Sequence, residues 1–325
     1  MKLREDIWEA KELAPTRLGF GQGLVEAGEA EPRIVALSAD LTESTKMDLF
    51  EKKFPERFIQ MGVAEQNLVT VASGMANYGK IPFVTSYAAF SPGRNWEQIR
   101  TTIALNNVPV KIVGSHAGLL TGPDGATHQM LEDLALMRAM PNMTVLSPCD
   151  AEEARKATLA AAKTDRPVYI RVEREKMPQM TTAETPFAIG KANLMWDTKN
   201  PTCALFATGS LLHNALKAAR ELEKEGIEVT VTNIHTLKPI DAGAIAREAK
   251  RAGAVVSVEE HQANGGLGGA VAEVLARESP TPMEFVAVKD EFGQSGTAAE
   301  LIEHYGLGVK SIMEAVKKAA ARKRS

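Results

Sequence analysis

Short apolar runs alternate with stretches of helical period along the first half of the chain. Residues 33–37 (RIVAL) read as a buried strand, 58–61 (FIQM) as a second and 81–85 (IPFVT) as a third. Further strands are predicted at 110–114, 144–146 and 168–171. Between them, 65–77 reads as a helix with small residues on its packing face, and 96–106 and 152–163 carry the same period. Strands that alternate with helices in this way predict an open, mainly parallel sheet covered on both faces.

The regularity breaks between Glu173 and Lys199, where Pro178 and Pro186 interrupt a polar stretch and Pro201 follows closely. Beyond it the α/β order resumes, with strands at 202–208, 228–231, 254–258 and 284–288. Helices are predicted at 213–225, 242–252, 267–277, 301–305 and 309–318. The expected fold is therefore α/β with two open, mainly parallel-sheet domains, 1–185 and 186–325, joined by this linker.

A length of 325 residues accommodates more than one hydrophobic core, and 44% hydrophobic with 24% charged residues is ordinary for a globular protein. A net charge of -3 provides no general field for nucleic acid or membrane, so neither is expected as a partner. Basic residues gather only at the end, in Lys317, Lys318, Arg322, Lys323 and Arg324, as on a charged helix terminus. Cys149 and Cys203 form no motif and read as small core residues. With no apolar signal region at the amino terminus and no membrane-spanning stretch, a cytoplasmic location is expected.

Candidate chemistry collects in loops that follow the predicted strands, where open α/β sheets place their sites. His116 is followed by Asp124, Gly125, Ala126, Thr127, His128 and Gln129, a turn former with a carboxylate and two imidazoles in one short stretch. The histidine spacing matches no zinc pattern and no metal site is expected. Glu65 opens a helix, where it reads either as a first-turn acid stabilised by the dipole or as a functional carboxyl. Tyr87 and Phe90 at a strand end read either as core aromatics or as a flat stacking wall. The glycine-rich run 265–269 lacks the spacing of a dinucleotide loop and reads as a turn that lets a helix start pack closely.

Five separated segments, in order, resemble the transketolase family over essentially the whole chain. They are 38–42 (SADLT), 62–67 (GVAEQN), 85–90 (TSYAAF), His116 with 124–129 (DGATHQ), and 292–296 (FGQSG). The first half resembles the family's pyrimidine-binding domain and the second its C-terminal domain. The resemblance implies a thiamine-diphosphate enzyme that moves a two-carbon ketol unit from a ketose phosphate to an aldose phosphate. It implies Glu65 as the cofactor-activating and catalytic acid, Tyr87 and Phe90 as the wall beside the aminopyrimidine, and His128 as a catalytic, substrate-binding imidazole. Asp124 would bind a substrate hydroxyl, and Arg17, Ser44, His116 and Arg174 the substrate phosphate. Arg171 is a rival for that phosphate; strand parity would turn it to the opposite face from Arg174, toward packing.

Two positions depart from the family pattern: Ala117 stands where many transketolases have Asp, and Tyr87 where Phe is common. The chain opens on a predicted short helix, and no GDG segment that would hold the diphosphate and Mg2+ precedes Arg17. The resemblance thus implies the C-terminal subunit of a split transketolase, active with an N-terminal partner that carries the Mg2+ ligands, in a heterotetramer of two plus two. A 2-oxo acid dehydrogenase E1 beta-like subunit has the same plan, and a 1-deoxyxylulose-5-phosphate synthase-like enzyme shares the loop motif. A non-catalytic binding relative is the reading outside enzymes.

Overall fold

The computed structural model describes residues 3–323; Arg324 of the basic tail lies outside the described residues. The first strand, β1 (Leu13–Ala14), is followed by a helix at Thr16–Ala30 and by β2 (Ile34–Ser38), β3 (Phe58–Gln60) and β4 (Ile81–Tyr87). The strands β5 (Lys111–Ser115), β6 (Thr144–Leu146), β7 (Val168–Arg171) and β8 (Met177–Pro178) complete the first half. The second half contributes β9 (Asn193–Trp196), β10 (Cys203–Ala207), β11 (Val229–Asn233), β12 (Thr236–Lys238), β13 (Val255–Gln262) and β14 (Met283–Val288).

The first sheet has the order β12-β6-β7-β5-β4-β2-β3, parallel throughout except for β12. That exception was not expected: a short strand of the second half closes the edge of the first sheet. The second sheet, β14-β13-β10-β11-β9, is likewise parallel except for β9, a strand inside the predicted linker. Two mainly parallel α/β sheets are thus borne out.

One face of the first sheet is covered by the helices Thr16–Ala30 and Ala151–Ala162, with Phe20, Phe50 and Phe83 fully buried between the layers. Each such phenylalanine contributes roughly 1.5–3 kcal/mol relative to exposure. The opposite face meets the helices Glu65–Asn77 and Asp133–Ala139 and, from the second half, Ala242–Ala252 and Leu267–Glu278. The two halves therefore share a core.

The expected opening helix is not formed. Residues 5–10 make turns, and the arm 3–14 lies across both halves: Leu3 bridges Thr181, Leu13 and Ala14 pair with Pro178 and Met177, and His213 bonds the Ile7 carbonyl at 2.9 Å. The start of the linker is pinned by Asp150, a buried N-cap whose carboxylate accepts from Glu153, Met180 and Thr181 amides and the Thr181 hydroxyl, at 2.6–2.8 Å. The predicted helix 96–106 is irregular, with Trp96–Gln98 passing into a π-helix at Ile99–Ala104. In the tail, Lys317 pairs with Glu225, and Lys318 and Arg322 pair with Glu284.

Candidate functional site

Parallel order aims the carboxyl ends of β2, β3, β4, β5 and β7 at one rim, and the residues expected to bind cofactor and substrate lie on that rim, in the loops that follow it or at the helix start beside it. Ser44 follows β2, Glu65 follows β3, Tyr87 ends β4 with Phe90 in the turn beyond, and His116 follows β5. Arg174 lies past the end of β7, and Arg17 is in the first turn of the helix that precedes β2. Register keeps the ends level: Ser38 faces Gln60 and Thr85, and Tyr87 faces Ser115.

Glu65 is the buried acid of this rim, only 2% exposed. Its Oε2 accepts from Arg94 Nη1 at 2.6 Å, and its Oε1 accepts from Ser86 Oγ at a longer 3.2 Å. Asn95, fully buried, donates to the Glu65 carbonyl at 2.8 Å and to Ser91 Oγ at 3.1 Å, so the turn that carries Arg94 is tied to the start of the acid's helix. Charge-assisted contacts of this length are the strong class.

Four rings gather on the same rim. Tyr87 and Phe90 lie near parallel with centroids 6.2 Å apart, and His116 stacks on Tyr87 at 3.9 Å. His128 meets Phe90 and Tyr87 edge-on at 5.4 and 6.1 Å. The two histidines, twelve positions apart in sequence, thus share one aromatic cluster with the expected wall.

His116 is held as a neutral imidazole. Arg17 Nη1, which can only donate, lies 3.3 Å from Nε2, so Nε2 accepts and the proton sits on Nδ1, which donates to Ser115 Oγ at 2.9 Å. Burial, with the charges of Arg17, Arg174 and His128 behind it, pushes this imidazole down to about 3. His116 also has φ +53°, a left-handed backbone fixed by Thr121 Oγ1 donating to the His116 carbonyl at 2.5 Å.

Arg17 and Arg174 approach each other closely enough that the charge of Arg174 adds to burial in lowering Arg17. Arg17 donates to the Ser44 carbonyl at 2.5 Å, so it is the Ser44 backbone that touches the cluster. Arg174 Nη1 donates to the Thr121 carbonyl at 3.0 Å and to Asp124 Oδ1 at 2.9 Å. Two guanidiniums close enough to feel each other's charge favour an anion beside them.

Arg171 is only 2% exposed and packs away from this space, against Asp133 and the carbonyl of Glu260. The packing role expected of it is what the structure has, but the parity argument is not its cause, because β7 ends at Arg171 and never reaches Arg174. The glycine-rich run also packs as expected. The amides of Leu267 and Gly268 donate to Glu259 at 2.6 and 2.7 Å, so the chain's own carboxylate fills that helix start. Arg94, Ser86 and Ser115 were missed; only the proximity of Arg94 to Phe90 hinted at it, since its contact with Glu65 spans 29 residues.

Among the described residues no group of three or more His, Cys, Asp or Glu is arranged to hold a metal ion, and no helix is long and apolar enough to cross a membrane. Cys149 and Cys203 are both free and buried.

Two family profiles match the chain: the transketolase pyrimidine-binding domain over residues 13–180 and the transketolase C-terminal domain over 190–312. The chain belongs to the transketolase family. A putative transketolase C-terminal section from Methanocaldococcus jannaschii is 42% identical over 309 residues, covering 93% of this chain and 96% of that protein. A 6-deoxy-6-sulfo-D-fructose transketolase subunit from a Clostridium species is 40% identical over 300 residues, with 92% of each chain covered. Among solved structures, a split gene transketolase described as an inactive β4 tetramer superposes with a TM-score of 0.89 at 45% identity, covering 95% of this chain and 99% of that one. Enzymes of this family use thiamine diphosphate.

Proposed function

We propose that this chain is the C-terminal subunit of a split, thiamine-diphosphate-dependent transketolase, with the domain break near residue 185. It supplies the pyrimidine side and the substrate side of the active site. The observation that carries the reading is the conjunction on one rim of a buried acid, an aromatic cluster and two neighbouring arginines. The relatives named as transketolase sections and subunits support it.

The residues present suit the pyrimidine half of the cofactor. Glu65 is buried and bonded to Ser86, the neighbour of Tyr87, and to Arg94, which lies over Phe90; among the described residues its Oε1 has only the long contact to Ser86. Glu65 would hold a proton at the aminopyrimidine N1′, and Tyr87 and Phe90 would flank the ring and exclude water. When bound, the cofactor supplies a nucleophilic carbon that accepts and releases the two-carbon ketol unit. Mg2+ and the diphosphate would be held by the N-terminal partner, in an assembly of two copies of each chain.

On the substrate side, Arg17 and Arg174 hold the terminal anion by charge-assisted hydrogen bonds, and neutral His116 braces Arg17 without adding charge. Asp124, tied to Arg174, accepts from a sugar hydroxyl. His128 moves a proton at the hydroxyl near the reacting carbons. The donor and acceptor are sugar phosphates; the sulfonated sugar in one relative's name is another tetrahedral anion with the same demand for guanidinium donors. Two free buried thiols accord with the cytoplasm as its place of action.

The test is reconstitution. The purified chain with thiamine diphosphate and Mg2+ is expected to be inactive, and ketol transfer between sugar phosphates is expected on adding an N-terminal transketolase subunit. Full turnover by the chain alone contradicts the split arrangement.

A further inference from the structure

The second half of the chain contributes none of the proposed site residues, yet it grips the loop that carries His116, Asp124 and His128. This loop leaves β5 at His116 and returns at Met130, and its neck is closed by the Gly118 amide donating to the Met130 carbonyl at 2.9 Å. Inside it, a tight turn at Leu119–Asp124 presents Asp124 to Arg174.

Two contacts from the second half hold that turn. Glu260, on β13 and fully enclosed, accepts from the Leu120 amide through Oε1 at 2.6 Å. On the far side, Gln129 Nε2 donates both to the Gly122 carbonyl within the loop, at 2.9 Å, and to the Gln294 carbonyl beyond β14, at 3.0 Å. Glu260 is itself anchored, because Arg171 donates to its carbonyl at 2.8 Å and lies 3.5 Å from Asp133, which accepts from the Tyr169 hydroxyl at 2.7 Å. The fit leaves no slack: Gly118 has φ +74°, and a β-carbon there would lie 2.6 Å from Arg171 Nη2 and from the Glu260 carboxyl carbon.

The Leu120 amide is a buried donor, and a buried amide without an acceptor is costly. An acceptor placed on a strand of the other domain is a stiffer support than a water molecule. The turn it fixes carries the Thr121 carbonyl and Asp124, the two groups that orient Arg174.

We propose that Glu260 is a positioning residue: by accepting from the Leu120 amide it fixes the Leu119–Asp124 turn, so that Asp124 and Arg174 meet the anionic end of the substrate. The second domain thereby acts in substrate binding without touching substrate. The substrate part rests on the transketolase reading above; the grip itself does not. Burial, reinforced by the charge of Glu173, pushes the Glu260 carboxyl well up from the usual range, and its Oε2 has no hydrogen-bond partner among the described residues. A glutamine there keeps the acceptor for Leu120 and is expected to be tolerated.

The test compares Glu260→Met, which keeps the volume and loses the acceptor, with Glu260→Gln, which keeps it. In the isolated chain, amide hydrogen exchange of residues 119–125 should speed up about tenfold or more in Glu260→Met, the size one lost buried hydrogen bond permits. Exchange in the strands of both sheets should change much less, and Glu260→Gln should match the wild type. In the complex with the N-terminal subunit, Glu260→Met should raise KM for a ketose phosphate several-fold with kcat within about twofold, and Glu260→Gln should restore it. Unchanged exchange at 119–125 overturns the grip. Uniformly faster exchange, or a fall in kcat without a rise in KM, reduces Glu260 to a stability role and overturns the proposal. Should Glu260→Met fail to fold, the wild-type chain decides the grip, because the Leu120 amide must then be among the slowest in its loop. A wild-type complex that transfers no ketol unit removes the functional reading and leaves the grip to the exchange result.

Discussion

Arg94 closes on Glu65 at 2.6 Å, a guanidinium that is half exposed on a carboxylate that is almost wholly enclosed. The same guanidinium lies 4.7 Å from the centre of the Phe90 ring, so the acid and the aromatic wall share one cationic neighbour. The pair bears on the proposed chemistry, in which Glu65 would hold a proton at the cofactor while Arg94 stabilises its anion. Removing Arg94 leaves a desolvated carboxylate uncompensated. Arg94→Met is expected to destabilise the isolated chain by roughly 1–3 kcal/mol, toward the lower end because water reaches Arg94. The double variant Glu65→Gln/Arg94→Met should recover most of that loss. Denaturant unfolding of the four proteins measures the coupling, and additive losses would show that the contact carries none.

Glu65→Gln tests the acid directly. An amide still donates a hydrogen bond to N1′ but cannot give up a proton, so kcat in the reconstituted enzyme should fall by orders of magnitude with little loss of cofactor affinity. Exchange of the C2 proton of the bound cofactor should slow in parallel. A helix-start acid without a chemical role would leave that exchange rate unchanged.

Arg174→Ala should raise KM strongly for phosphorylated donors and much less for an unphosphorylated ketose, with a loss of roughly 2–5 kcal/mol where the site is shielded. His128→Ala should lower turnover with both donors. Arg171 is unsuited as a neutral control: it lies in a buried network with Asp133, Tyr169 and Glu260, and its removal would unbalance several enclosed carboxylates. Equal losses with both donors in Arg174→Ala would remove the phosphate assignment.

The neutral His116 predicts a pH signature. In the folded chain its imidazole takes a proton only near 3, whereas in the unfolded chain it does so near 6.5. Its contribution to stability is therefore present above about pH 6.5 and is lost as the pH falls toward 3. His235 and His261, each lowered to about 4 by burial, act in the same direction, and Glu259, raised to about 7, acts against it. The difference between the wild type and His116→Asn isolates the term: the wild type should lose stability relative to the variant from pH 7 to pH 4 in urea unfolding. A constant difference across that range contradicts a buried, neutral His116.

The alternating pattern made the parallel sheets legible, because buried parallel strands are short apolar runs between amphipathic helices. The helix Thr16–Ala30 was not, since Gly19, Gly21, Gly23 and Gly28 lower its propensity. Those glycines serve packing: a β-carbon at Gly23 would lie 3.0 Å from Thr158 on the facing helix. β12 was hidden for a different reason, being three residues whose only partner is β6, some ninety positions earlier. At the rim, the residues that follow strands could be named from the chain. Arg94 and Glu260 could not, because each acts on a neighbour brought close only by the tertiary fold.

Assembly gives a further expectation. Val63, two residues before Glu65, is 72% exposed, and the surface around Glu65, Gln66, Asn67, Thr70 and Arg94 encloses a recess of about 440 Å³. A partner subunit that completes the cofactor site would cover this surface. Light scattering of the mixture should report two copies of each chain, and a fully active one-to-one complex would contradict that stoichiometry.

The measurement closest to the central claim is donor choice by the reconstituted complex. With thiamine diphosphate, Mg2+ and an aldose phosphate acceptor, ketose phosphate and pyruvate are offered in competition. Transfer of the two-carbon unit from the ketose phosphate is expected, with no turnover of pyruvate and loss of this preference in Arg174→Ala. Preferential decarboxylation of pyruvate by the wild-type complex would contradict it and point to a 2-oxo acid dehydrogenase instead.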